Sequence, residues 1–211
     1  MKALKELVAV AAVGIVLGLG QPASAALSNF TTTDSGVTYT GGGSSLSQVI
    51  PDNNYAGVGY TINFTDGSVN ISALTFTLNT IGGYNGDIYA YISHGGILVQ
   101  LLNPDGAVCG SGMDITLGTT GSVLPTSGVL SSGNYISYED LSAFNNMSAS
   151  GNWTVFFADL GAGDTSSLNE FTIGITAVPE RTTWGLIGFG MIFGGVTGAR
   201  VIRARRRACP H

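Results

Sequence analysis

From Val49 to Ala177 the apolar side chains of this chain recur at every second position in short runs. Leu74, Phe76 and Leu78 alternate with threonine, and Ile88, Ala90 and Ile92 alternate with Tyr89 and Tyr91. Trp153, Val155 and Phe157 repeat the pattern, as do Phe171, Ile173 and Ile175. A period of two turns one face of a strand to the core and the other to solvent, whereas a helix needs a period of about 3.6. No stretch between these runs sustains a helical period, and Gly, Asn and Asp bound most of them. The spacing predicts an all-β domain, a β-sandwich. Val69 and Ile71 fall on the opposite parity to Leu74, which predicts a bulge or break near Ala73. His94-Gly95-Gly96 predicts a hairpin turn between the run at Ile88–Ile92 and the one at Ile97, Val99 and Leu101.

Charge is divided as sharply as the strands are patterned. All eight Lys and Arg residues lie in the two ends, at Lys2, Lys5, Arg181, Arg200, Arg203, Arg205, Arg206 and Arg207. Every acidic residue except Glu6 lies between Asp34 and Glu180. The net charge of −5 therefore combines a purely acidic middle with a basic tail. Such a middle repels nucleic acid and anionic membrane surfaces. Its carboxylates must be solvated, bonded to backbone donors, or bound to cations.

The ends read as export segments. Lys2 and Lys5 precede an apolar run from Leu7 to Leu19, and Ala23-Ser24-Ala25 supplies the small residues a signal peptidase reads. Residues 1–25 thus fit a secretory signal peptide cleaved after Ala25. At the other end, Thr182–Ala199 holds no charge and reaches about 27 Å as a helix, close to a bilayer's hydrocarbon thickness. The arginines behind it would stay cytoplasmic, which puts everything upstream outside. Residues 26–48, with Gly41-Gly42-Gly43-Ser44-Ser45, read as a flexible Ser/Thr/Gly-rich lead-in holding one early strand at Val37–Thr40.

The same C-terminal residues resemble a PEP-CTERM sorting signal: the box Val178-Pro179-Glu180, the aromatic Trp184 opening the apolar helix, and the terminal arginines. Arg181 departs from the pattern, which usually repeats proline there. The resemblance implies an exosortase as processing partner, a sorting signal over 178–207 that includes the transmembrane helix, and a tail at 208–211. It also implies delivery to the surface or matrix of a Gram-negative cell, with exopolysaccharide and biofilm material as company. An uncut C-terminal anchor would show the same apolar run.

A second resemblance covers residues 49–177. Ile50-Pro51-Asp52-Asn53-Asn54 with Gly57-Val58, Gly86-Asp87-Ile88, Val99-Gln100-Leu101-Leu102-Asn103 and Leu141-Ser142-Ala143-Phe144-Asn145 occur in one order. Gly151-Asn152-Trp153, then Asp159, Asp164, Leu168 and Phe171-Thr172-Ile173, complete it. This order is similar to the P domain (P/Homo B domain) of subtilisin-like proprotein convertases. His94-Gly95, Asn146 and Phe171 depart from that family's usual residues. The resemblance implies a jelly-roll β-sandwich of about eight strands and, as partner, an exported serine protease.

No recognisable catalytic motif stands in the middle of the chain; composition alone leaves paired carboxylates for glycoside hydrolysis open, but none of the acids sits in a motif that would raise a carboxyl pKa by apolar burial. A Ser-His-Asp triad needs a histidine, and His94 is the only one before the tail, in a Gly-flanked turn with no Gly-x-Ser-x-Gly elbow elsewhere. One histidine and one cysteine, Cys109, make no zinc site, and Cys109 has no basic neighbour to favour a thiolate. The chain is read as a non-enzyme. Calcium is the one cofactor the residues suggest. Asp52, Asn53, Asp87, Asp159 and Asp164 all stand at strand ends or turns and offer the hard oxygen donors calcium takes; Glu139 and Asp140 are a further pair. Tyr84, Tyr89, Tyr91, Tyr135 and Tyr138 offer stacking faces for a glycan. The expected function is an exported structural or adhesive module; the alternatives are an accessory domain for an exported protease and a carbohydrate-binding module.

Overall fold

The computed structural model describes residues 26–33, 38–67, 69–104 and 108–177. The signal peptide with Ala23 and Ala25 and the sorting segment with Val178, Pro179, Glu180 and Trp184 lie outside the described residues. Among the described residues no helix is long and apolar enough to cross a membrane.

The described chain is all-β. Its strands are β1 (Ala26–Thr33), β2 (Thr38–Ser44), β3 (Gln48–Ile50), β4 (Val58–Phe64), β5 (Ile71–Gly82), β6 (Ile88–His94) and β7 (Ile97–Leu102). There follow β8 (Val108–Cys109), β9 (Met113–Gly118), β10 (Ser122–Val123), β11 (Gly128–Val129), β12 (Gly133–Ile136), β13 (Gly151–Asp159) and β14 (Ser166–Ala177). Two short 3-10 turns, Asn85–Asp87 and Leu141–Phe144, interrupt them. The larger sheet runs β1-β2-β14-β5-β9-β12-β10, with β3 also on β14; the smaller runs β4-β13-β6-β7, and β11 pairs with β8.

Eight strands carry the architecture, and they pair in nested fashion. β2 pairs with β14, β4 with β13, β5 with β9 and β6 with β7, every pair antiparallel. Antiparallel contacts of β14 with β5 and of β13 with β6 join these pairs into the two sheets. The sheets face each other across one apolar core. Phe76 of the larger sheet lies 6.2 Å from Phe157 of the smaller, and Tyr60 lies 5.3 Å from Phe171. The inward residues predicted by alternation, Leu74, Phe76, Leu78, Trp153, Val155, Phe157, Phe171, Ile173 and Ile175, are all buried.

Two local expectations are met for visible reasons. In β5 the register against β14 passes from Ala73 to Ile71 between Thr176 and Ala177, so Ser72 is the extra residue that lets Ile71 and Leu74 both face inward. Between β6 and β7 the turn is Gly95-Gly96, with φ of 57° and 83°. A two-residue hairpin with both φ positive matches the right-handed twist of its strands, and glycine adopts it without steric cost.

One expectation is corrected. Residues 26–33 and 38–48 are not a flexible lead-in: they hold β1, β2 and the start of β3. Leu27 pairs with Gly43 and Thr32 with Tyr39, while β2 pairs on its other side with Phe171–Thr176. The glycines serve close packing rather than freedom. A Cβ on Gly42 would collide with the Phe171 carbonyl oxygen, and one on Gly41 would meet Phe30 at 3.0 Å. Because Gly41 leaves that room, Phe30 reaches the core and packs edge-on against Phe64, with ring centroids 5.0 Å apart. Ser45 and Ser47 take left-handed φ of 52° and 47°. The intervening Leu46 is 1% exposed, and its N–H donates to the Asn169 carbonyl at 2.9 Å.

Candidate functional site

Strand pairing brings three loops to one end of the smaller sheet. β13 lies between β4 and β6 and runs antiparallel to both, with Phe157 opposite Val58 and Asp159 opposite Ile88. The end of β13 therefore meets the segment before β4, which holds Asp52, and the turn before β6, which holds Asp87. Backbone hydrogen bonds fix the meeting. The Asn54 N–H donates to the Asp159 carbonyl at 2.9 Å, and the Leu160 N–H to the Asp87 carbonyl at 2.9 Å. The loop after β13 is held by the Asp52 carboxylate, which accepts from the Gly163 N–H at 3.2 Å. Gly161 has no room for a side chain, because a Cβ there would run into the Asp87 carboxylate.

This end of the sandwich gathers four carboxylates, and the described residues include no Lys or Arg to pair with them. Asp159 is 1% exposed. Its Oδ2 accepts from the Ser166 hydroxyl at 3.2 Å, while its Oδ1 is buried with no hydrogen-bond partner. Burial pushes the Asp159 carboxyl above the ordinary value; Ser166 and the Gly161 N–H oppose that rise, and the Asp87 and Asp52 charges add to it. Asp87 is half-buried and is also pushed up, first by burial and then by Asp164 and Asp52. Both shifts follow from placing like charges close together where water is partly excluded.

The structure thus brings together Asp52, Asp87, Asp159 and Asp164 of the five residues expected to bind calcium. Asn53 is exposed beside them, with a left-handed φ of 47°. Among the described residues no group of three or more His, Cys, Asp or Glu side chains is placed to hold a metal ion. Ser166 and Gly161 are the members that sequence reasoning missed. A serine and a glycine in a Gly/Ser-rich stretch carry no signal until the carboxylates around them are located.

The other acids of interest have structural duties. Asp140 caps the 3-10 turn Leu141–Phe144, accepting from the Ser142 N–H at 2.8 Å and the Ser142 hydroxyl at 2.6 Å. Those two bonds hold its carboxyl below the ordinary value. Glu139 accepts from the Gln100 N–H at 2.8 Å and so extends the edge of β7.

His94 closes β6 with its side chain turned inward, 5% exposed. Its Nδ1 lies 3.0 Å from the Asn152 carbonyl oxygen and its Nε2 lies 2.8 Å from that of Ser148. A neutral ring donates to only one of these acceptors, and a doubly protonated ring donates to both. The ring stacks on Trp153 with centroids 4.0 Å apart and planes 2° from parallel. Trp153 in turn donates its Nε1–H to the Ala149 carbonyl at 2.9 Å. Neither imidazole nitrogen is directed at a nucleophile.

The tyrosines do not share one face. Tyr89 and Tyr91 are buried against Phe156, Tyr91 stacking on it at 5.0 Å. Burial, with help from Tyr91 and Glu139, pushes the Tyr89 hydroxyl up to about 12. Tyr135 donates to the Ser131 carbonyl at 2.9 Å, and the Tyr84 hydroxyl donates to Cys109 Sγ at 3.4 Å. Tyr138 is 49% exposed. Only Tyr138 among the five presents a largely open ring.

No family model matches the chain, and no curated protein matches it. Among solved structures it is similar to the serine protease of Aeromonas sobria, at 12% identity and a TM-score of 0.41, covering 82% of this chain and 30% of that one. It is similar to the same degree to the complex of that protease with its chaperone, at 12% identity and a TM-score of 0.41, covering 82% of this chain and 29% of that one. The chain therefore spans less than a third of the length of the solved chains it matches.

Proposed function

We propose that this chain is an exported, non-catalytic β-sandwich module that serves a structural or adhesive role at the cell surface. The observation that carries this reading is the fate of its one histidine before the tail. His94 sits between two backbone carbonyls and a tryptophan ring, committed to the core rather than to a reacting group. The nested pairing of the eight long strands supports a jelly roll, since rolling one long antiparallel hairpin pairs first with last and second with second-to-last. Confinement of every Lys and Arg to the two ends supports removable export segments around an acidic domain. On this reading a signal peptidase acts after Ala25. An exosortase acts at Val178-Pro179-Glu180, with the helix opened by Trp184 spanning the inner membrane in transit.

A second reading is an accessory domain for an exported subtilisin-like protease. It is favoured by where the P-domain-like residues fall: Gly86 to Ile88 open β6, Trp153 is buried in β13, and Leu168 and Phe171 are buried in β14. The motif residues are framework residues of the sandwich.

Intact-mass measurement of the protein recovered from the cell surface or medium tests the export reading. The expected mass begins at Ala26 and ends near the Val178-Pro179-Glu180 box. A full-length mass, with both ends retained, refutes it. Co-purification of a subtilisin-like protease with the recovered protein would instead favour the accessory role.

A further inference from the structure

We propose that a cavity between the end of the β6–β7 hairpin and the β10–β11 connection binds the acetamido group of a neutral N-acetylated sugar, with Tyr138 stacking on the sugar ring. The cavity measures about 90 Å3 and is lined from both sheets: Leu102 ends β7 and Met113 opens β9. Both are buried, as are Val108 and Leu130, and half-buried Leu124 lies beside them in the lining. Asn85 and Asn103 are the amides of the wall, and Tyr138, 49% exposed, stands at the open side. An apolar chamber with a few placed polar groups is the usual form of a small-molecule site.

The lining is fixed by the fold itself. Asn85 is 7% exposed; its Nδ2 donates to the Gly112 carbonyl at 2.9 Å and its N–H to the Gly110 carbonyl at 3.0 Å. The Asn103 Oδ1 accepts from Gln100 Nε2 at 2.9 Å. The Tyr138 N–H donates to the Leu101 carbonyl at 3.0 Å, which ties the tyrosine to β7. A site held this way loses little freedom when a ligand enters it.

Size and chemistry select the occupant. A cavity of about 150 Å3 takes the six-carbon ring of benzene, so one of about 90 Å3 takes a group of about four heavy atoms. An acetamido group and a leucine side chain both have that size, and the two asparagines distinguish them. A leucine side chain would strip water from both amides and return no hydrogen bond. An acetamido group sets its methyl against the leucines and offers an N–H and a carbonyl to the amides. Each asparagine has donor and acceptor capacity beyond the bonds it makes in the fold. The lining holds no Asp, Glu, His, Lys or Arg, so the carboxylate of an acidic sugar would find no cationic partner there. At the mouth, the apolar face of the pyranose ring meets the open ring of Tyr138. The inference gives the adhesive reading a ligand, and rests on that reading only for where the sugar is met.

The test is saturation-transfer NMR and titration on the purified full chain. The probes are the methyl glycosides of N-acetylglucosamine and N-acetylgalactosamine, those of glucose and galactose, and N-acetyl-leucine amide. At least one acetylated sugar is expected to bind at about 1 mM, with saturation strongest at its acetyl methyl. Its parent hexose is expected to bind at least about tenfold more weakly, because it leaves the chamber unfilled. Tyr138→Ala should weaken binding about tenfold, and Leu124→Phe, which fills the chamber, should abolish it, with the melting midpoint of each variant confirming the fold. Should Leu124→Phe fail to fold, the exposed Tyr138→Ala decides alone. Absent saturation at the acetyl methyl, equal binding of the parent hexose, or undiminished binding in the folded variants overturns the proposal. So does tighter binding of N-acetyl-leucine amide, which would make the cavity a dock for a peptide side chain. Binding is read on the isolated chain, so its failure leaves export untouched, and a full-length mass from the cell surface would refute export without touching the sugar site.

Discussion

Replacing His94 by alanine removes a ring that lies 4.0 Å from Trp153 and leaves the Asn152 and Ser148 carbonyls without their imidazole partner. The cost combines a cavity beside a fully buried tryptophan with lost hydrogen bonding to part-buried backbone carbonyls, about 3 kcal/mol together. For a domain of this size that lowers the melting midpoint by about 6–12 °C. A catalytic histidine on an exposed turn would behave differently, since its removal would spare stability. Thermal unfolding of His94→Ala separates the two, and a midpoint within about 1 °C of wild type would contradict the structural role. The sequence places this residue in the hairpin turn, whereas it is the last residue of β6, one position before the Gly95-Gly96 turn. What single-sequence reasoning lacks is the direction of the side chain, which follows from β6 lying beside β13 with Trp153 opposite His94. Tyr89 and Tyr91 show the same gap. Their parity marks them as facing away from the main core, yet they are buried in a second aromatic cluster with Ala158 and Phe156.

At the scale of elements, period-two alternation makes the strands with one buried face legible, and these include most of the nested pairs. β2 is different, because its pattern is written in glycine. Gly41-Gly42-Gly43 has the composition of a linker, and only the neighbours reveal that three missing side chains let β1 and β14 close on β2 from both sides. The contrast can be measured. Gly42→Ala places a Cβ against the Phe171 carbonyl, a backbone atom that cannot move aside without opening the β2–β14 ladder. The expected loss is about 3 kcal/mol, at the upper end of overpacking costs. At Gly67 an added Cβ meets nothing within 4 Å, so Gly67→Ala is expected to be neutral within about 0.5 kcal/mol. Denaturant unfolding of the pair decides the matter. If Gly42→Ala proves as mild as Gly67→Ala, β2 is the loosely held segment that its composition suggests. The acidic site is legible to a similar degree. Asp52, Asp87, Asp159 and Asp164 stand out as acids at strand ends, but which of them is buried depends on the crossing of β13 between β4 and β6.

Over the whole molecule, the segregation of charge fixes how stability responds to pH. The folded-state carboxyls of Asp87 and Asp159 are raised, so the metal-free fold holds protons that the unfolded chain releases. Their contribution is fully present below the unfolded carboxylate value, near about 3.9, and is lost as pH rises through the higher folded values. Asp140 acts with the opposite sign. Its carboxyl is lowered by Ser142, so its contribution is present above the unfolded value and is lost as pH falls through the lower folded one. Two raised acids, one of them buried, stand against one exposed cap, so the acid-stabilising pair sets the expected direction. In EDTA the midpoint is therefore expected to be higher at about pH 4.5 than at pH 7, the reverse of a protein stabilised by carboxylate salt bridges. Asp159→Asn should shrink that difference, because its neutral amide already lacks the charge that neutral pH imposes. Added salt at pH 7 should recover part of the lost stability by screening the exposed members, Asp52 and Asp164, while acting weakly on the buried Asp159. A wild-type midpoint that falls steadily from pH 7 to pH 4.5, with the variant tracing the same curve, would mean that these carboxylates are satisfied in the fold by partners other than protons and ions.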